Sequence, residues 1–237
     1  MAKAAVKVYP NSPLQETVFE IRFPGEPAIE CHRDEIYDRV RDILPKVFVP
    51  SVVPAQAPAL QHYQFKSDDE FKSLLVSLNS LAYSTKKYPG FPEFKKQALS
   101  VLLPLGKRFR LNTLNRVGLR YINLIPFTRR DGAILLDQFL NLRLVLSDRG
   151  TSPITQIQIV VSSPCEKGSM TLRIESVTSP DQAREALLLD FDYSRPLPLK
   201  FSEIESYLEE GHTLTKKLFE SLITDEYRKV METELVV

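Results

Sequence analysis

Two stretches of this sequence alternate with a period of two, and both carry charge on their polar side. Glu16 to Phe23 reads ETVFEIRF: Thr17, Phe19, Ile21 and Phe23 fall on one face, Val18, Glu20 and Arg22 on the other. Arg116 to Ile125 reads RVGLRYINLI and puts Arg116, Gly118 and Arg120 on one face. A half-buried strand requires this alternation, because successive side chains of an extended chain point to opposite sides of a sheet. The chain must therefore build a sheet with one covered face and one charged face.

The elements between these strands predict the rest of an α+β fold. Ile36, Tyr37, Val40, Ile43, Leu44 and Val47 recur at helical spacing, with Asp34 and Glu35 near the start and Pro45 at the end. Val49 to Leu60 holds three prolines and no periodicity, and is predicted as a loop. Strands are predicted around Gln61–Lys66 and Ser73–Ser84. A helix follows with Pro92 in its first turn and Phe94, Ala98, Val101 and Leu102 along one stripe; Pro104 and Gly106 are expected to stop it. The order βαββαβ matches the split βαβ arrangement of ferredoxin-like domains. After Pro126 a short helix around Ala133–Asn141 and a strand over Leu142–Leu146 are expected. Then come three runs, Ile154–Val161, Ser169–Val177 and Ala186–Tyr193, joined by Ser, Pro, Gly and Asp as in an antiparallel β-meander. A long C-terminal helix closes the chain. Ser202 with Glu205 forms an S-x-x-E capping box, the apolar stripe runs through Ile204, Leu208, Leu214, Leu218 and Leu222, and a second cap falls at Thr224. Residues 1–127 form the ferredoxin-like half and 128–237 the meander plus helix, two parts that can share one sheet as a single domain.

Composition narrows the function classes. The 237 residues carry a formal net charge of +1, which marks neither a nucleic-acid binder nor a membrane-surface protein. The 8 glycines are too scattered for G-x-G-x-x-G or a P-loop, which excludes the two commonest phosphate-cradling loops. No stretch approaches the roughly 18 apolar residues of a membrane span, and the start has no apolar run of signal-peptide length. Cys31 and Cys165 stand far apart and read as free thiols. A cytoplasmic protein is expected.

Three motifs belong together: L-x-E-x-V-F-E-I-R-F at Leu14–Phe23, V-G-L-R-Y-I-N at Val117–Asn123, and H-x-x-x-x-x-x-F-E-x-x-I-T at His212–Thr224. As a set they resemble a sporadically distributed, uncharacterised family of bacterial proteins of about this length. The chain lacks the tryptophan found near the family's end. The resemblance implies a bacterial, patchily inherited protein, of the kind carried with toxin–antitoxin or defence systems.

Charge is unevenly placed. Between Phe94 and Arg130 stand Lys95, Lys96, Lys107, Arg108, Arg110, Arg116, Arg120, Arg129 and Arg130, with no Asp or Glu; Glu203–Glu234 carries nine acids against four bases. One reading is a polyanion site, since arginines pair bidentately with phosphate oxygens. The other is that the acidic C-terminal helix neutralises the basic window, within the chain or across a dimer. In a ferredoxin-like sheet the first and fourth strands are neighbours, so Glu20, Arg22, Arg116 and Arg120 are expected to meet, with Tyr121 and Asn123 as secondary ligand-binding residues. Arg173 with Glu175 and Asp190 with Asp192 repeat the charged strand face, which is either solvated or a polar cavity. Val18, Glu20 and Arg22 stand where triphosphate-tunnel enzymes have E-x-E-x-K, a partial likeness that departs from the motif at Val18 and Arg22.

No catalytic residues are assigned, and neither metal nor cofactor is expected. His32, His62 and His212 are too scattered for zinc, and Cys31 or Cys165 would need a base that the sequence does not place. His212 is expected to pack. The chain thus reads as a binding or interaction protein, a homo-oligomer such as a dimer or the partner of another protein, with nucleic acid or nucleotide as further ligands and no membrane. The competing class is a phosphate- or polyphosphate-handling enzyme using the same arginines with a divalent metal.

Overall fold

The computed structural model describes residues 8–48, 63–144, 153–178, 184–195 and 199–233. Its strands are β1 (Leu14–Arg22), β2 (Lys46–Phe48), β3 (Tyr63–Lys66), β4 (Lys72–Ser77), β5 (Ser80–Thr85), β6 (Thr113–Leu114), β7 (Arg116–Pro126), β8 (Gln158–Pro164), β9 (Ser169–Thr178), β10 (Glu185–Arg195) and β11 (Leu199–Lys200). The helices are α1 (Pro27–Cys31), α2 (Arg33–Val40), α3 (Phe91–Arg108), α4 (Ile204–Leu222) and α5 (Asp225–Glu232). Nine strands form one antiparallel sheet in the order β2-β3-β4-β5-β1-β7-β10-β9-β8, while β6 and β11 pair separately. The sheet runs unbroken from the N-terminal to the C-terminal half, because β7 pairs with β10 from Ala186↔Pro126 to Arg195↔Val117.

The alternation in β1 and β7 decides which face is covered. Phe19, Ile21, Val117 and Leu119 are fully buried, as are Leu189, Phe191 and Tyr193 of β10. Against this face α3 packs on β5, and α4 packs on β7 and β10. The approach of α4 depends on Gly211: a Cβ there would stand 2.5 Å from the Tyr193 ring. Tyr193 cannot yield, since it is fully buried and stacks on Tyr207 at 4.9 Å. The Tyr207 hydroxyl in turn lies 3.0 Å from the carbonyls of Val117 and Tyr193, fastening α4 across two strands.

Several local expectations are corrected. The stretch 73–84 is not one strand but the hairpin β4–β5, turning at Leu78 and Asn79. Helix α3 does not stop at Pro104. The proline lacks an N–H, but that strands only the carbonyl of the exposed Ser100, which water can satisfy, and Gly106 sits beneath the Phe201 ring. The capping box over Ser202 and Glu205 does not form, since α4 begins at Ile204. The Glu203 carboxylate accepts from the Lys200 N–H at 3.0 Å instead, and Glu205 is drawn to Lys95. The short helix after Ala133 is a single 3-10 turn at Leu136–Gln138, and Leu142–Arg143–Leu144 is not a strand; residues 145 and 146 lie outside the described residues, as does the whole of the loop predicted at 49–60. The cap at Thr224 is present, its hydroxyl accepting from the Tyr227 N–H. Cys31 and Cys165 are free thiols. No helix among the described residues is long and apolar enough to cross a membrane.

Gly211→Ala is expected to destabilise the fold by about 1–3 kcal/mol through overpacking against Tyr193. In an open helix the same change would stabilise by up to about 1 kcal/mol. Urea denaturation gives the sign directly.

Candidate functional site

The uncovered face of the sheet is concave. Leu75 on β4 and Val160 on β8, far apart in the strand order, line the same space of about 820 Å³. Its floor is the charged face of β1, β7, β10 and β9, carrying Glu16, Glu20, Arg22, Arg116, Arg120, Arg173, Asp190 and Asp192.

The register of β1 on β7 sets Glu20 opposite Gly118 and Arg22 opposite Arg116. Gly118 leaves a gap on this face, and the Arg116 guanidinium lies over it: a Cβ at 118 would stand 2.7 Å from Nη1. From there Arg116 bridges two strands, donating to Glu20 on one side at 2.6 Å and to Asp192 on the other at 2.7 Å. Glu20 also takes Arg22 at 3.0 Å. Two same-face positions along β7 from Arg116, in register with Asp192, Arg120 pairs bidentately with Asp190 at 2.7 and 2.6 Å. Arg173 pairs with Glu175 on its own strand. Thus each arginine on this face holds a carboxylate of the same face. Burial keeps the Asp192 carboxyl above its ordinary value, against the lowering pull of Arg116 and Arg120.

Glu20, Arg22 and Arg116 therefore meet as the sequence suggested, and Arg120 joins them through the neighbouring Asp190–Asp192 strand. Tyr121 and Asn123 do not meet them. They lie on the opposite, helix-covered face, as the period of two demands. There the Tyr121 hydroxyl and His212 Nδ1 share a hydrogen bond of 3.0 Å, and the His212 ring stacks on Phe91 at 3.9 Å. Burial lowers the His212 pKa to about 4, so the ring is neutral at pH 7.

Five of the nine basic residues in the window, Lys95, Arg108, Arg116, Arg120 and Arg129, are paired with acids, and four of those five pair with acids outside the C-terminal helix. Lys95 reaches α4, at Glu205 (3.0 Å) and Glu209 (2.6 Å). Arg108 pairs with Glu35 and Arg129 with Glu185, and Arg116 and Arg120 are paired within the sheet. Among the described residues no three His, Cys, Asp or Glu side chains converge as a metal-ligand set. The arrangement offers charge complementarity rather than a nucleophile with its base.

Arg120→Met leaves Asp190, which is 7% exposed, without its partner, and is expected to cost about 1–3 kcal/mol. Arg22→Met, at a far more exposed pair, is expected to stay within about 0.5 kcal/mol; both follow from urea denaturation. His212 gives a second expectation. The unfolded chain protonates this residue near pH 6.5, and the folded protein resists until about pH 4. Its contribution is therefore full above pH 6.5 and is lost as pH falls through that window. His212→Gln should flatten the stability profile there.

No protein-family model matches this chain, and no curated protein matches it significantly.

Proposed function

We propose that this protein is a binding module that engages a polypeptide partner across its concave sheet face. The observation that carries the reading is the pairing of every arginine on that face with a carboxylate of the same face. The surface is consequently rich in charge but balanced in sign. A polyanion would have to displace the carboxylates one after another, at the cost of leaving them unpaired. A polypeptide with both acidic and basic side chains can instead exchange pair for pair, which favours specificity over bulk attraction. The edge of the groove supports the same reading. Among the described residues β8 pairs only with β9, and its Val160 and Val161 are 60% and 50% exposed, so an added strand would find backbone groups and apolar contacts. A second copy of this chain is one such partner.

The strand order β4-β5-β1-β7, with helices between β1 and β4 and between β5 and β7, supports a ferredoxin-like reading of the N-terminal half. The motif resemblance to a patchily inherited bacterial family supports a cytoplasmic accessory role beside a toxin–antitoxin or defence system. A phosphate-handling enzyme is the competing class, and the four arginines facing one cavity are what favour it.

Selection of random displayed peptides on the immobilised protein separates the two. The expected winners carry both signs of charge and lose about tenfold or more in affinity on Arg116→Ala or Asp192→Ala. Tripolyphosphate with magnesium is expected to leave the melting temperature unchanged. Saturating binding would add about 2.7 kcal/mol at 100 times Kd, and such a shift, lost in Arg120→Ala, would overturn the reading in favour of the enzyme.

A further inference from the structure

On the helix-covered side of the sheet lies a cavity of about 100 Å³, walled by Tyr88, Tyr121, Asn123, Phe191, Thr215 and Phe219. Two hydroxyls in its wall are poorly met: Thr215 Oγ1 is buried without a hydrogen-bond partner, and the Tyr88 hydroxyl has only the Tyr121 hydroxyl near it. The first is unusual for its place. A threonine within a helix ordinarily donates back to the carbonyl four residues earlier, and Thr213 does so, to Glu209 at 2.8 Å. Thr215, one turn below Gly211 and only 4% exposed, makes no such bond. An unmet buried hydroxyl is costly, so Thr215 in the wall of a cavity, with a poorly met Tyr88 beside it, marks that cavity as incomplete when empty.

We infer that this cavity is a binding site for a small neutral molecule with a hydrocarbon body and one hydroxyl or amide group, which Thr215 and Tyr88 would bond. Phe191 and Phe219 supply the apolar wall, and Asn123 is held in place by donating to the Leu189 carbonyl at 3.2 Å. Size limits the guest: the space is smaller than the roughly 150 Å³ cavity known to hold benzene, so it seats one ring or a short chain and leaves the rest at the mouth. The two charged side chains that also line the space, the exposed Lys216 and the half-buried Glu220, are opposite in sign, and Glu220 is already paired with Arg228, so neither sign of guest is favoured. Burial keeps the neighbouring His212 neutral and pushes the Tyr88 hydroxyl up to about 12. The site lies on the other side of the sheet from the concave face and does not rest on the reading of that face.

Phenol, benzamide, toluene and benzoate test the inference by NMR titration of the full chain. Phenol and benzamide are expected to bind saturably, with toluene, which lacks the polar group, and benzoate, which is charged, at least about tenfold weaker. Thr215→Val and Tyr88→Phe should each weaken phenol about fivefold or more and narrow its advantage over toluene. Because the Thr215 hydroxyl has no partner in the protein, Thr215→Val should remain as stable as the parent or become more so. The inference is overturned if no probe saturates, if toluene or benzoate matches phenol, if either variant binds phenol like the parent, or if Thr215→Val loses stability.

Discussion

A missing side chain organises the charged face. Gly118 sits mid-strand between β1 and β10, and its empty position gives the Arg116 guanidinium a place to lie flat across the sheet. Glu20 on β1, in register with Gly118, and Asp192 on β10, diagonal to it, then become the guanidinium's two partners. An arginine is suited to this because its planar fork presents donors on two sides at once, which a lysine cannot do. The bridge cross-links three adjacent strands from the side that no helix covers, and the Arg120–Asp190 pair continues the same row.

The opposite face follows the inverse logic. There Gly211 lets α4 come down on Tyr193, and Tyr207 reaches two backbone carbonyls at the ends of β7 and β10. One glycine removes a side chain so that a charge can lie on the sheet; the other so that a helix can. Both act on the same pair of strands, and β7 and β10 therefore carry the two candidate sites back to back: a wide groove with balanced charge, and a small, mainly apolar cavity with an unmet hydroxyl. The groove's acids and bases are paired with one another, and burial keeps His212 beside the cavity neutral.

Much of this was legible in the sequence, and the remainder was hidden for definable reasons. The alternation in 16–23 and 116–125 gave the right faces, and adjacency of those two strands brought Glu20, Arg22 and Arg116 together. That same alternation separates Tyr121 and Asn123 from the arginines, so placing them in one site went against the period that defined the strand. The β4–β5 turn at Leu78–Asn79 carries no Gly or Pro to announce it. Pro104 misled because its cost depends on whether the orphaned carbonyl can reach water, which is a tertiary fact. The capping-box pattern at Ser202 matched a sequence rule, but Glu205 found a stronger partner in Lys95 across the helix pair. The incompleteness of Thr215 is invisible to any pattern, because it consists of a hydrogen bond that is not made.

The central claim is that the arginines of the concave face are committed to carboxylates of the same face. Side-chain guanidinium NMR of Arg116 and Arg120 measures this directly, because a held guanidinium shows resolved, slowly exchanging Nη signals whereas a free one shows a single averaged signal. Resolved signals that persist when tripolyphosphate is added are the predicted result. Averaged signals in the free protein, or resolved ones that appear only with the polyanion, would contradict it and make the face an anion site.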